Sequence, residues 1–142
     1  MYAVLNKTSL RIISLVLLLF AAFVVEGFLI TKADSCDIRN PERRTKYLEE
    51  LGLIIDETTL VESEVAIPKE FGDVYSNYNE IQLRAGFDLK DYKGVTVTKY
   101  TYKVLNRGEN VCVNLLCYKG KVIGGDISSS SLDGFMVPLS KE

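Results

Sequence analysis

The longest apolar stretch covers residues 12–30 and reads IISLVLLLFAAFVVEGFLI, broken only by Ser14, Glu26 and Gly27. A bilayer span takes about 20 mostly apolar residues, so the run is long enough to cross a membrane. Lys7 and Arg11 precede it, the cationic flank of a secretory signal or signal anchor. It carries no amphipathic stripe, which argues against a helix buried in a soluble core. Val25-Glu26-Gly27, Thr31-Lys32-Ala33 and Ala33-Asp34-Ser35 are three imperfect cleavage sites, and Cys36 is a poor lipoprotein site because Asp34 stands before it. The reading is an uncleaved anchor over residues 1–30 and a polar linker over 31–39, followed by a domain outside the cytoplasm; cleavage would make that domain a secreted one. Lys32, Arg39, Arg43, Arg44 and Lys46 favour the opposite orientation by the positive-inside count. They are interleaved with Asp34, Asp37 and Glu42, as on a folded surface.

Beyond the linker the periodicity changes. Asn40-Pro41-Glu42 has the form of a helix start: a capping side chain, proline in the first turn and an acid at the positive helix end. Tyr47, Leu48 and Leu51 make one stripe, and Gly52 is a stop. Residues 53–56 and 60–67 read as extended, with Val61, Val65 and Ile67 on one face. Pro68 opens a second helix whose stripe is Phe71, Val74, Tyr75, Tyr78, Ile81 and Ala85, ending at Gly86. Phe87, Leu89 and Tyr92 pin the next loop. Residues 95–105, 111–118 and 121–128 then form a three-stranded meander, turning around Arg107-Gly108 and at Lys119-Gly120.

With both turns taken as two-residue loops, Tyr102 opposes Val113, Tyr100 opposes Leu115, and Leu115 opposes Gly124. One face then gathers Tyr100, Tyr102, Val104, Val111, Val113, Leu115, Cys117 and Val122. A one-residue slip would move all of them to the other face. That face is expected to receive the second helix. Gly124 and Gly125 mark close packing or a bulge. The predicted class is α+β: an N-terminal transmembrane or signal helix, then two helices on a mostly antiparallel sheet ending in the meander. A single domain covers residues 40–138, with a tail over 139–142.

Three segments, NPERRTKYLEELGL, IPKEFGDVYSNYNEIQLRAGFDLKDYKGVTVTKYTYKV and NLLCYKGKVIGGDISSSSLDGFM, resemble the bacterial family numbered 4830 among domains of unknown function. The resemblance covers roughly residues 40–136. It is most specific over residues 75–86, Tyr100-Thr101-Tyr102, Gly124-Gly125-Asp126 and Asp133-Gly134-Phe135. It implies one hydrophobic N-terminal segment before a small domain, and no activity or catalytic residues. Leu53 stands where the family pattern has a Trp, a difference of packing.

Composition narrows the chemistry. The net charge of −2 leaves no electrostatic footprint for nucleic acid, and the chain has no histidine, which excludes Ser-His and Cys-His catalysis and HExxH zinc sites. No phosphate loop, dinucleotide fingerprint, zinc spacing or calcium loop is present, so neither a cofactor nor a metal site is expected. Cys112 and Cys117 on one strand lie about 16 Å apart, too far for a disulfide. Cys117 faces the core, while Cys112 opposes Lys103. A Ser-Lys hydrolase built on residues 128–131 lacks a positioned lysine. Candidate ligand-binding residues are Tyr75, Tyr78, Asn114, Gly125, Asp126 and Asp133. Gly125 would let a partner approach the backbone, and the carboxylates would offer oxygen ligands. Asp126 and Asp133 can equally fix turns. The leading expectation is a non-catalytic, membrane-anchored interaction module, held to the lipid bilayer through residues 12–30 and meeting another cell-envelope protein. The alternative is a small-ligand or cation-binding receptor domain using the groove between the second helix and the sheet.

Overall fold

The computed structural model describes residues 37–131 and 134–140, so the anchor segment 12–30, Cys36 and Asp133 lie outside the described residues. Among the described residues no helix is long and apolar enough to cross a membrane. Asn40 caps helix α1 (Pro41–Glu50) by accepting a hydrogen bond from the Arg43 N–H, and Pro41 occupies the first turn. The chain leaves α1 through Gly52, whose φ of 77° suits a residue without a Cβ. Strand β1 (Ile55–Ala66) unites the two predicted extended stretches, with a register shift between Asp56 and Val61. Helix α2 (Asp73–Arg84) starts at a Gly72 cap, later than Pro68. The reason lies at Ile67, which still exchanges backbone hydrogen bonds with Gly94 and Val95 (2.9 and 2.8 Å), so the chain at Pro68 is only leaving the sheet. A 3-10 turn at Leu89–Tyr92 leads to β2 (Thr96–Val104), β3 (Val111–Tyr118), β4 (Lys121–Ser129) and β5 (Met136–Pro138).

The five strands form one antiparallel sheet in the order β1-β2-β3-β4-β5. Among the described residues the fold is therefore α+β, with two helices on an antiparallel sheet that adds β5 to the expected strands. Strand β5 is too short to leave a legible alternation. Tyr102 pairs with Val113 and Tyr100 with Leu115, as the turn geometry predicts. The β3–β4 turn places Lys119 and Gly120 at φ 49° and 83°, the doubly left-handed geometry of a tight hairpin.

The β3–β4 register departs from expectation partway along. Tyr118 pairs with Lys121 and Cys117 with Val122, but Leu116 then pairs with Gly124 and Leu115 with Gly125. Ile123 is the extra residue of a β-bulge. Asn114 consequently faces Asp126, not Gly125.

The sheet carries a core on each side. On one side Tyr100, Tyr102, Val113, Leu115 and Ile127 pack with Leu48 of α1, Leu53, Ile38 and Leu139. The helix on the two-tyrosine face is thus α1 rather than α2. The stripe of α1 is short, but Ile38 and Leu53 on either side of it widen its apolar surface enough to cover that face. Ile38 and Leu139, placed by pattern in the linker and the tail, are both buried. On the other side Val97, Leu116, Ile123, Ile67 and Leu89 pack with Phe71, Tyr75 and Tyr78. Phe87 joins the α1-side core and Tyr92 the α2-side core, so the loop after α2 is pinned as expected. Arg44 is buried within the α1 side at 2% exposure. Its Nε donates to the Tyr102 hydroxyl, its Nη1 donates to the Ile38 carbonyl at 2.8 Å, and its guanidinium lies 4.0 Å from the Tyr100 ring centroid.

The two bulge glycines face opposite sides of the sheet. A Cβ on Gly125 would stand 2.4 Å from the Asn114 backbone oxygen and 2.9 Å from Leu139 Cδ2. A Cβ on Gly124 would meet the ends of two side chains, Gln82 Oε1 at 2.9 Å and Leu89 Cδ2 at 3.1 Å. Gly125 is buried and serves packing, so no partner reaches its backbone. Gly125→Ala is expected to destabilise the domain by about 3 kcal/mol and Gly124→Ala by about 1 kcal/mol, the two ends of the overpacking range. Urea unfolding of each variant measures this, and a neutral Gly125→Ala would contradict the bulge register.

Candidate binding cleft between helix α2 and the sheet

The rows of paired residues define the floor of the site. On the α2 side of the sheet, Lys99, Leu116 and Gly124 form one row. Thr101, Asn114 and Asp126 form the next, and Lys103, Cys112 and Ser128 the one after. Tyr75 and Tyr78 project from α2 with ring centroids 5.8 Å apart in an edge-to-face arrangement. Between α2 and these rows lies a cavity of about 260 Å³. Its apolar walls are Val65, Leu116, Met136 and the tyrosine rings; its polar groups are Lys99, Asn114 and Asp126. The size sits just under the ~300–1,000 Å³ of drug-sized clefts, so it suits one small molecule.

A hydrogen-bond chain fixes the polar side. The Thr101 hydroxyl donates to Asn114 Oδ1 at 2.7 Å, which sets the orientation of the amide. Asn114 Nδ2 then donates to Asp126 Oδ1 at 2.9 Å, and the Tyr78 hydroxyl donates to Asp126 Oδ2 at 2.9 Å. Asp126 is 3% exposed. Among the described residues neither Asp126 nor Lys99 has an oppositely charged partner within 4 Å. Each carboxylate oxygen accepts one bond in this network and retains acceptor capacity.

Four of the six sequence candidates, Tyr75, Tyr78, Asn114 and Asp126, therefore meet at one cleft. Gly125 does not join them, because the bulge turns it to the α1-side core. Asp133 lies outside the described residues. The residues that pattern reasoning missed are Lys99, Val65, Leu116 and Met136. Lys99 was within reach: it alternates with Tyr100 and so shares the face of Thr101. Leu116 was within reach by the same alternation, as the neighbour of Leu115 and the partner of Lys99, whereas Met136 needed β5. Cys117 is buried, and burial pushes its thiol pKa up, the reverse of what a reactive thiolate needs. The described residues hold no group of three or more His, Cys, Asp and Glu side chains able to share a metal ion.

A second, more open hollow of about 520 Å³ lies beside Cys112 and residues 128–131, and Met136 borders both cavities. Gly134 and Phe135 also line this hollow.

Burial, and then the negative charge of Asp126, raise the pKa of the Tyr78 phenol well above its ordinary value; burial alone raises that of Tyr75. A raised phenol pKa in the folded state means that the unfolded chain ionises first. The stability from these neutral phenols is complete below pH about 10 and is lost as pH rises beyond it. Tyr78→Phe should make the alkaline loss of stability shallower, measured as unfolding midpoints between neutral and alkaline pH. An unchanged alkaline slope would mean that the Tyr78 phenol is not buried beside Asp126 in the folded protein.

Neither a curated protein nor a solved structure matches the chain. A family model does match, over residues 47–127, from within α1 through most of β4, and includes every described residue of the cleft except Met136. The chain belongs to the family described as domain of unknown function DUF4830.

Proposed function

We propose that the chain is a non-catalytic receptor module, held at the outer face of a membrane by residues 12–30, that takes a small ligand in the cleft between α2 and the sheet. The observation that carries the reading is Asp126: a buried carboxylate, oriented by Asn114 and Tyr78, on the wall of a cavity with no cationic partner within 4 Å among the described residues. A buried charge without a counter-charge is costly in a structural role, whereas binding sites hold such groups ready for a ligand. The absence of histidine from the chain and the raised Cys117 thiol pKa favour binding over catalysis. No cofactor enters this reading.

A second reading, capture of another cell-envelope protein, draws on β5. Phe135, Met136 and Val137 are 43%, 47% and 40% exposed at that edge of the sheet, where an added strand would find apolar contacts.

Two measurements test the proposal. A small-molecule library screened by thermal shift against the full chain in detergent should yield compounds that stabilise the native protein; saturation at 100 times Kd corresponds to about 2.7 kcal/mol. The same compounds should fail with Val65→Trp, which fills the cleft from the β1 side. Equal stabilisation of both proteins would remove the cleft from consideration. Protease added to intact spheroplasts should digest the domain, and full protection would place it on the cytoplasmic side.

A further inference from the structure

The charges on the cleft wall specify more than a cavity. Asp126 on β4 and Lys99 on β2 line the same cavity from strands separated by β3, and from adjacent rows. Strands pack about 4.8 Å apart, so the two Cα atoms are on the order of 10–12 Å from each other. Lysine's long stem covers part of that distance, yet Lys99 forms no ion pair with Asp126. The cavity that both residues line is bounded by Leu116 on the floor, by Tyr75 and Tyr78 on the helix side, and by Val65 and Met136.

We infer that the cleft binds a small zwitterion of the α-amino-acid type, with its ammonium group at Asp126 and its carboxylate at Lys99. The inference rests on the reading of this cleft as a ligand site. A bare metal ion suits it poorly: Asp126 is the one carboxylate on the wall, and Lys99 would repel the ion. A simple anion meets the buried carboxylate, and a simple cation meets Lys99. A molecule carrying both charges satisfies both groups. Tyr75 and Tyr78 line the same cavity, and an aromatic ring face adds to the attraction for an ammonium group. The cavity of about 260 Å³ limits the side chain to one of moderate size, and its walls favour an apolar one. Asp126 keeps unspent acceptor capacity on both oxygens, since Asn114 and Tyr78 each supply one donor.

Three compounds of nearly equal shape separate the charges: leucine, 3-methylbutylamine, which lacks the carboxylate, and 4-methylpentanoate, which lacks the ammonium. Binding to the full chain in detergent micelles is followed by calorimetric titration and by the methyl resonance of labelled Met136. Leucine should bind at least tenfold more tightly than either single-charge analogue and should shift Met136. Asp126→Asn keeps the shape and a hydrogen-bonded side chain; it should weaken leucine and the amine at least tenfold and leave the carboxylate unaffected. Lys99→Met should weaken leucine at least tenfold while leaving the amine within twofold. Thermal melts of both variants confirm that they are folded. Equal binding of all three compounds, or leucine affinity within twofold in Asp126→Asn, overturns the inference. Library compounds without an amine that shift Met136 and compete with one another, while leucine does nothing, also overturn it but leave the cleft standing as a ligand site. If no compound of any class perturbs Met136, the inference and the underlying reading fall together.

Discussion

Helix α2 is fastened to the sheet by hydrogen bonds rather than by a continuous apolar stripe, and the cleft depends on that choice. Its fully buried positions are Asn79 and Gln82, while Val74 is 84% exposed. Asn79 accepts from the Leu89 N–H at 2.8 Å and donates to Asp88, tying the helix to the turn that follows it. Gln82 accepts from the Gly125 N–H at 2.8 Å, just beyond the β4–β5 ladder, which pairs from Asp126 onward. Tyr78 reaches Asp126. These contacts act at points, so the helix is held at its inner edge and a gap is left over the rows of Asn114 and Leu116. An apolar stripe would have closed that gap, because close packing leaves few voids larger than a water molecule.

The α1 side shows the opposite solution. There the core is apolar and continuous, and a single buried guanidinium is inserted into it. Arg44 has no carboxylate within 4 Å among the described residues. Its charge is met by the Ile38 carbonyl, the Tyr102 hydroxyl and the Tyr100 ring. The arrangement holds the segment before α1 against the sheet, reinforced by the Ile38 N–H on the Gly120 carbonyl at 2.9 Å. Asp37, drawn well below its usual pKa to about 2 by its side-chain hydrogen bond with Arg39, lies against Gly120, where a Cβ would collide with its carboxylate. One face is therefore sealed, and the other is built around a gap.

Much of this was legible from local chemistry. The Asn40 cap, the Gly52 and Gly86 stops, the Lys119-Gly120 hairpin and the Tyr100/Tyr102 register follow from nearest-neighbour rules, and the structure contains each of them. The position of each helix was not legible, since both have a stripe and the sheet has two apolar faces. The Ile123 bulge was hidden for a related reason: an extra residue preserves the alternation on either side of it while shifting every pair beyond it. That single insertion moved Asn114 from Gly125 to Asp126 and so assembled the polar row of the cleft. Tyr75, Tyr78, Asn114 and Asp126 were identifiable as candidates by residue type; their meeting, and the part of Lys99, came from the pairing.

The strand order carries a kinetic consequence. Every strand pairs with its neighbours in sequence, and from β2 to β5 the connections are short; only β1 waits, across residues 67–95 and helix α2, for β2. Loop closure between adjacent strands is entropically cheap compared with the long crossovers of a parallel sheet, and topologies rich in local contacts fold faster. The sheet can grow from β2 to β5 in the order in which the chain emerges, each paired strand templating the next, with β1 added across the longer connection that carries α2. The last step, docking β5 and Leu139, closes the wall that carries Met136. The cleft is thus completed only when the C-terminal end of the domain has arrived, and a chain truncated before β5 would keep four strands but lack a finished pocket.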